Sequence, residues 1–331
     1  MTARRGPFPA ARAAVLAAAA AAFGCTPDFQ SPRDVTDLRV LAIRQEAVEP
    51  DGTSIFADAA VDFTSSRVQP VRIKMLVADP QPRRALTVGG QICSPTDSGR
   101  CDQGQPLTLT PSTSSGTAVE QQPIFEPSVP PEVVVAAQRS DDLKGFGGIR
   151  VQFAMQAEDG DPRGLVAASK ILLYTTGPDS TRNHNPEIAT LEITRDGQHV
   201  ASVGPGATLS LSAGVEYGLR PLLGSGASGI EEYDTIDLSG NTVHLREESR
   251  YSFFATAPAS FDRDVADEPL PDQPQPTNGI ARITLSGPGA VIWVVARDGR
   301  GGVGWISVPC AIAPCTAAGD RAHDSRRRAA V

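Results

Sequence analysis

Two stretches of this chain alternate between apolar and polar residues with a strict period of two. Val71, Ile73, Met75 and Val77 are interleaved with Arg72 and Lys74, and Ile149, Val151, Phe153 and Met155 with Arg150, Gln152, Ala154 and Gln156. That period puts one set of side chains on one face of an extended strand, and an apolar face has to be buried, so each stretch predicts a half-buried strand in a sheet. Val35 to Arg44, Ile55 to Phe63, Val133 to Ala137 and Val166 to Thr175 predict further strands, set apart by Pro, Gly, Ser and Asp. Strand follows strand with almost nothing helical between them, which is the pattern of a sandwich and not of alternating β and α units. The loop from Asp79 to Gln105 is long for a compact domain.

Gly177 to Pro186 has the proline and polar content of a boundary, and a second strand series follows it. Ile188 to Thr194, Thr208 to Leu211, Val215 to Leu222, Thr242 to Leu245, Tyr251 to Thr256 and Ile280 to Leu285 lead to Val291 to Ala296, which is apolar on both faces. Gly302 to Val308 returns after Asp298-Gly299-Arg300-Gly301, a hairpin signal with glycine where a positive φ is needed. The expected fold class is all-β, two immunoglobulin-like β-sandwich modules in tandem after an N-terminal signal segment. Their expected bounds are 35–176 and 188–309, with a linker over 177–187 and a disulfide loop and disordered tail over 310–331. About 300 residues after the signal suit two cores better than one.

The N-terminus predicts an address. Arg4, Arg5 and Arg12 precede an uncharged, alanine-rich run from Ala13 to Gly24, closed by Cys25. This is the layout of a bacterial export signal ending on a lipidated cysteine, although Ala22 and Phe23 depart from the commonest leucine-bearing box. The run is too short for a membrane helix, which needs about 20 apolar residues. Residues 1–24 therefore read as a lipoprotein signal peptide, Cys25 as the acylated (palmitate-bearing) residue, and the polar, proline-broken 25–34 as a tether. Ordinary cleavage to a secreted or periplasmic protein is the competing reading.

Setting Cys25 aside leaves Cys93, Cys101, Cys310 and Cys315, an even number in a chain expected in an oxidising compartment. Of the three possible pairings, spacing favours the two local ones, Cys93 with Cys101 and Cys310 with Cys315. Zinc is disfavoured because neither pair has further Cys or His at ligand spacing. The formal charge of −8 and the absence of a basic stripe argue against nucleic acid. Concentrated positive charge occurs only at Arg326 to Arg328, in a polar tail that reads as disordered.

At these residues the chain resembles a family. Leu38 to Ile43 soon after a lipid-type cysteine, Asn185-Pro186 opening a second module, Tyr251 to Thr256, and the closing Trp293 to Gly302 are similar to uncharacterised Gram-negative cell-envelope lipoproteins. Their modules are of immunoglobulin-like and polycystic-kidney-disease type. The resemblance covers about two thirds of the chain after the signal, rests on strands and turns, and transfers no catalytic residue. It implies a β-sandwich fold and an envelope setting.

No catalytic signature stands out. The hydrolase elbow, the zinc-protease helix motif and the phosphate loop are absent, and Gly224 to Gly229 reads as a flexible loop. His184 falls in the linker, His199 beside a turn, His323 in the tail and His244 at a solvent-facing strand position. Trp293 and Trp305 read as core residues. Asp262, Asp264, Asp267 and Glu268 make an acidic loop whose oxygens are of the kind calcium uses, although the spacing is not that of an EF-hand and Arg263 offers neutralisation without a metal. Glu231 to Asp234 and Glu247-Glu248 are weaker cases of the same kind.

The expectation is a lipid-anchored protein of the outer membrane or cell surface, a structural, adhesive or ligand-binding module without catalysis and, calcium apart, without a cofactor. Its expected partners are the membrane, through the lipid at Cys25, and an envelope or extracellular protein or glycan. The rivals are an envelope hydrolase whose carboxylates assemble on folding, and an accessory subunit of an export or motility complex.

Overall fold

The computed structural model describes residues 31–80, 86–95, 101, 104–107, 114–115, 119–160, 164–177, 181–268 and 278–312. The expected signal peptide, Cys25, Cys315 and the tail beyond 312 lie outside the described residues.

The first module contains β1 (Arg39–Ala47), β2 (Ala59–Asp62), β3 (Arg67–Val68), β4 (Val71–Ala78), β5 (Thr87–Cys93), β6 (Gln105–Leu107), β7 (Ser114–Ser115), β8 (Glu120–Phe125), α1 (Pro131–Ser140), β9 (Ile149–Glu158) and β10 (Leu165–Thr175). They form a four-stranded sheet, β1-β4-β8-β7, and a six-stranded sheet, β3-β2-β10-β9-β5-β6. The alternating residues do what their period requires. Ile73, Met75 and Val77 from β4 face Val151, Phe153 and Met155 from β9 across one core. β9 and β10 pair antiparallel without a bulge from Tyr174 opposite Ile149 to Leu165 opposite Glu158.

The second module contains β11 (Ile188–Arg195), β12 (Gln198–Val203), β13 (Leu209–Leu211), β14 (Glu216–Leu223), β15 (Glu232–Ile236), β16 (Thr242–Arg246), β17 (Arg250–Ala255), β18 (Ala259–Phe261), β19 (Val265–Asp267), β20 (Ala281–Leu285), β21 (Val291–Arg297) and β22 (Val303–Ile312). Two five-stranded sheets, β12-β11-β14-β20-β18 and β13-β22-β21-β17-β19, enclose a second core around Leu191, Leu219, Phe253, Ile283, Ile292 and Val294. β15 and β16 form a separate two-stranded ribbon. The chain is thus an all-β protein of two Ig-like sandwiches.

A third apolar cluster joins them. Leu41, Ala42, Leu76 and Ala78, on the outer face of the β1-β4 layer, pack against Val291, Trp293, Val295 and Val303 of the β21-β22 layer. The modules stack sheet on sheet into four layers, so β21 is buried on both faces, one in its own core and one against the first module. Trp293 belongs to this interface and not to the sandwich core its sequence position suggested.

Several expectations are corrected. Val133 to Ala137 is not a strand but the middle of α1, where Val133, Val134 and Ala137 bury one helical face. A short run of valines fits either period, and Pro131 at the helix start with Glu132 in the first turn and Arg139 in the last favours the helix. Within the expected linker, Arg182, Asn183 and Asn185 are buried. Asn185 donates to the Gln45 carbonyl at 2.8 Å and accepts from the Val303 amide at 2.9 Å, clasping both modules. Arg33 and Asp34, expected in the tether, pair with Ala255 of the second module. Cys93 and Cys101 are joined by a disulfide. Cys310 is a buried free thiol, because it sits inside β22, which continues to Ile312, with its side chain in the second core.

Candidate binding groove at the module junction

The groove begins with a glycine-rich turn. After α1, the Asp141 carboxylate accepts from the Gly145 amide at 2.7 Å, and Lys144, Gly145, Gly147 and Gly148 all take positive φ. At Gly145 glycine is required twice over, since its φ is +85° and a Cβ would lie 2.9 Å from Ile149. The tight turn leaves Leu143 and Phe146 exposed, 51% and 43%. Ile171, on the outer face of β10, is exposed beside them.

The opposite wall is the β15-β16 ribbon, which carries exposed Ile236 and Leu245. Its hairpin is closed by Asp237, whose carboxylate accepts from the Ser239 and Asn241 amides, both at 2.8 Å. Between the walls lies a groove of about 1020 Å³. Of the ten large hydrophobic side chains exposed among the described residues, five line it: Leu143, Phe146, Ile171, Ile236 and Leu245.

The floor is ionic. Arg300 stacks on the Tyr233 ring at 3.9 Å and reaches Glu247 at 3.2 Å and Glu231 at 3.4 Å. Glu231 also accepts from the His184 amide and contacts its ring Nδ1 at 2.7 Å. Arg182 lies over the Phe56 ring at 3.9 Å and pairs with Glu49 at 3.0 Å and Asp58 at 3.7 Å. Asn183 donates to Asp298 at 2.9 Å. Burial pushes the Glu247 carboxyl up to about 7; the nearby charges of Asp298 and Glu231 add to this, while the Glu231 amide and Arg300 oppose it. Burial also raises Asp58, against the pull of Arg182. Arg300, Tyr233, Asn183 and Asp58 reach the groove; Glu231, Glu247 and Asp298 face the network beneath it.

Among the described residues the carboxylates of the acidic loop do not come together. Asp262 holds Arg263 at 2.9 Å and the Arg282 amide at 2.7 Å, Asp267 pairs with Arg250 at 2.6 Å, and Glu268 pairs with Arg220 at 3.0 Å and accepts from the Tyr251 hydroxyl. Asp264 gives its backbone carbonyl to Phe253. Each carboxylate with a described partner turns to a different one, and no group of three metal-ligating residues forms among the described residues. The weaker acidic stretches mattered more, since Glu231 and Glu247 anchor the junction. His184 joins them, while His244 faces solvent as expected, beside Asp234 at 2.9 Å. The importance of Arg300 and Asp298 is invisible locally, because their hairpin turn reads the same whether or not another module packs on it.

No family model matches the chain, and no curated protein matches it. Among solved structures, the N-terminal Ig1-2 module of the Drosophila receptor protein tyrosine phosphatase DLAR is 13% identical, covers 84% of this chain and 100% of its own, and has a TM-score of 0.23. The Yersinia pseudotuberculosis adhesin InvE is 11% identical over 72% of this chain and 53% of its own, with a TM-score of 0.18. The partial N-terminal region of an enterococcal surface protein is 7% identical over 87% of this chain and 97% of its own, with a TM-score of 0.22. Similarities this slight carry no argument about function, and the Ig-like assignment rests on the sheets themselves.

Proposed function

We propose that this protein is a lipid-anchored module of the bacterial cell envelope that binds a protein partner in the groove between its two sandwiches, without catalysis. The convergence of five exposed apolar side chains on one groove carries the reading, since isolated exposed hydrophobics are ordinary but several gathered on one concave surface mark a contact site. The chemistry favours a protein segment over a glycan. Leucine, isoleucine and phenylalanine side chains stand exposed among the polar residues of the rim, and Tyr233, the ring a sugar would stack on, is already covered by Arg300. The stacked sheets and the buried ionic floor hold the walls at fixed separation. No helix among the described residues is long and apolar enough to cross a membrane.

The test joins address and groove. Intact cells making the wild type or Cys25→Ala are labelled with a membrane-impermeant reagent and fractionated, and the labelled protein is crosslinked to its neighbours. Wild type should sit in the membrane fraction and crosslink to a defined protein. Cys25→Ala should be released, and Leu143→Asp with Ile236→Asp should stay anchored but lose the crosslink. Crosslinking that survives the groove substitutions would overturn the groove; a membrane-bound Cys25→Ala would overturn the anchor. A second reading, an envelope hydrolase, is favoured by one observation, the Glu247 carboxyl raised to about 7 beneath the groove. Hydrolysis of envelope peptides or glycans by wild type and not by Glu247→Gln would support it.

A further inference from the structure

A recess of about 300 Å³ lies where the first module meets the β21-β22 turn, lined by Ile43, Ser169, Lys170, Arg297, Val303 and the glycines at 299, 301 and 302. Two cations line it and no acid does. Lys170 comes from β10 of the first module, and its ammonium donates to the Gly301 carbonyl. Arg297 comes from β21 of the second, and donates to the Ser252 hydroxyl at 2.9 Å and the Leu41 carbonyl at 3.3 Å. An ammonium carries three donors and a guanidinium five, so both keep donors in reserve.

Neither cation makes an ion pair among the described residues. Asp298, whose charge Lys170 senses, is itself engaged by Asn183 at 2.9 Å and by the amides of Arg300 at 2.8 Å and Gly302 at 2.9 Å. Burial pushes the Lys170 ammonium down to about 8 and lowers Arg297 as well. Positive charge here has lost part of its water and, apart from the field of the already engaged Asp298, has gained no ion pair, an arrangement that a bound anion would relieve.

We propose that this recess binds an oxyanion, the carboxylate, phosphate or sulfate group of a small ligand, held between the Lys170 ammonium and the Arg297 guanidinium. A planar guanidinium fork matches paired oxygens, and the ammonium adds a second charge-assisted hydrogen bond. The recess is roomier than a bare anion needs, and Ile43 offers the remainder of the ligand an apolar wall. Because one cation comes from each module, the anion would also tie the stack together. The site does not depend on the groove having a protein partner.

The full chain, labelled with 15N, is titrated with phosphate, sulfate and acetate, each against chloride at matched ionic strength. Arg297→Gln and Lys170→Met are run alongside. At least one anion should give saturable amide shifts confined to residues 169–170 and 297–303, with binding about tenfold weaker in each variant, the usual loss for one charge-assisted hydrogen bond. A response to phosphate and sulfate alone assigns a tetrahedral anion, and to acetate alone a carboxylate. No saturable shift with any of the three, shifts centred elsewhere, or variants that titrate like wild type would each overturn the proposal. The wild-type titration decides by itself if a variant does not fold.

Discussion

The indole N–H of Trp293 donates to the Glu120 carboxylate at 2.8 Å, from β21 of one module to β8 of the other, with both residues buried. The same carboxylate accepts from Gln122 on its own strand. A hydrogen bond to a buried carboxyl group, set in the apolar layer of Leu41, Leu76, Val291 and Val295, makes the module interface directional as well as apolar.

Trp293→Ala should therefore destabilise the whole protein and not one module, by about 3–5 kcal/mol as for large core truncations. Glu120→Ala should cost about 1–3 kcal/mol by leaving the indole N–H unpaired. Combined with Trp293→Phe, the two losses should be less than additive. Urea unfolding of the four proteins checks this, and a cycle that closes additively would show that the bond contributes nothing.

Gly304 lies in β22 with no unusual φ, yet a Cβ there would sit 1.8 Å from the Pro186 carbonyl oxygen. Gly304→Ala should destabilise by about 3 kcal/mol, because backbone has to move. Gly299→Ala, where φ is +79° and the nearest atom is the Glu248 carbonyl at 3.5 Å, should cost about 1 kcal/mol through its φ alone. Thermal unfolding of the two variants gives the comparison, and equal losses would remove the clasp argument.

Glu247 titrates at about 7 in the folded chain against an ordinary value of 4.5. The folded state therefore holds this proton more tightly than the unfolded one. The stability it confers is fully present below 4.5 and is lost as pH rises through about 7. Burial shifts Asp58 in the same sense. Glu247→Gln should flatten this part of the melting-temperature profile and melt higher than wild type above neutrality. Parallel profiles for the two proteins would count against a buried, strained carboxyl.

The Tyr174 hydroxyl is fully buried and has no hydrogen-bond partner among the described residues, and burial raises its pKa. Tyr174→Phe should stabilise the protein by about 1 kcal/mol by removing an unpaired polar atom. A lower melting temperature for the variant would mean that the hydroxyl is satisfied in solution.

What the chain settles by itself is local. The alternation at Val71 to Val77 and Ile149 to Met155 commits those segments to strands with one buried face, because the side-chain period of a strand is two. Turn glycines such as Gly299 and Gly301 announce themselves, and Cys93 and Cys101 lie close enough in sequence for their pairing to be read from spacing. The valines of α1 fit either period, so alternation alone does not decide between strand and helix there.

Tertiary structure decided everything that depends on which surfaces meet. That Trp293 packs against another module, that Arg182, Asn183 and Asn185 are buried, and that Lys170 and Arg297 share one recess are outcomes of stacking β1-β4 on β21-β22. The residues involved are far apart in the chain, and alternation reports only that a face is buried, not against what. The acidic loop shows the converse. Asp267 and Glu268 are adjacent in sequence, yet they turn to Arg250 and Arg220, because consecutive residues of an extended chain point to opposite sides, while Asp262 is taken by its own neighbour Arg263.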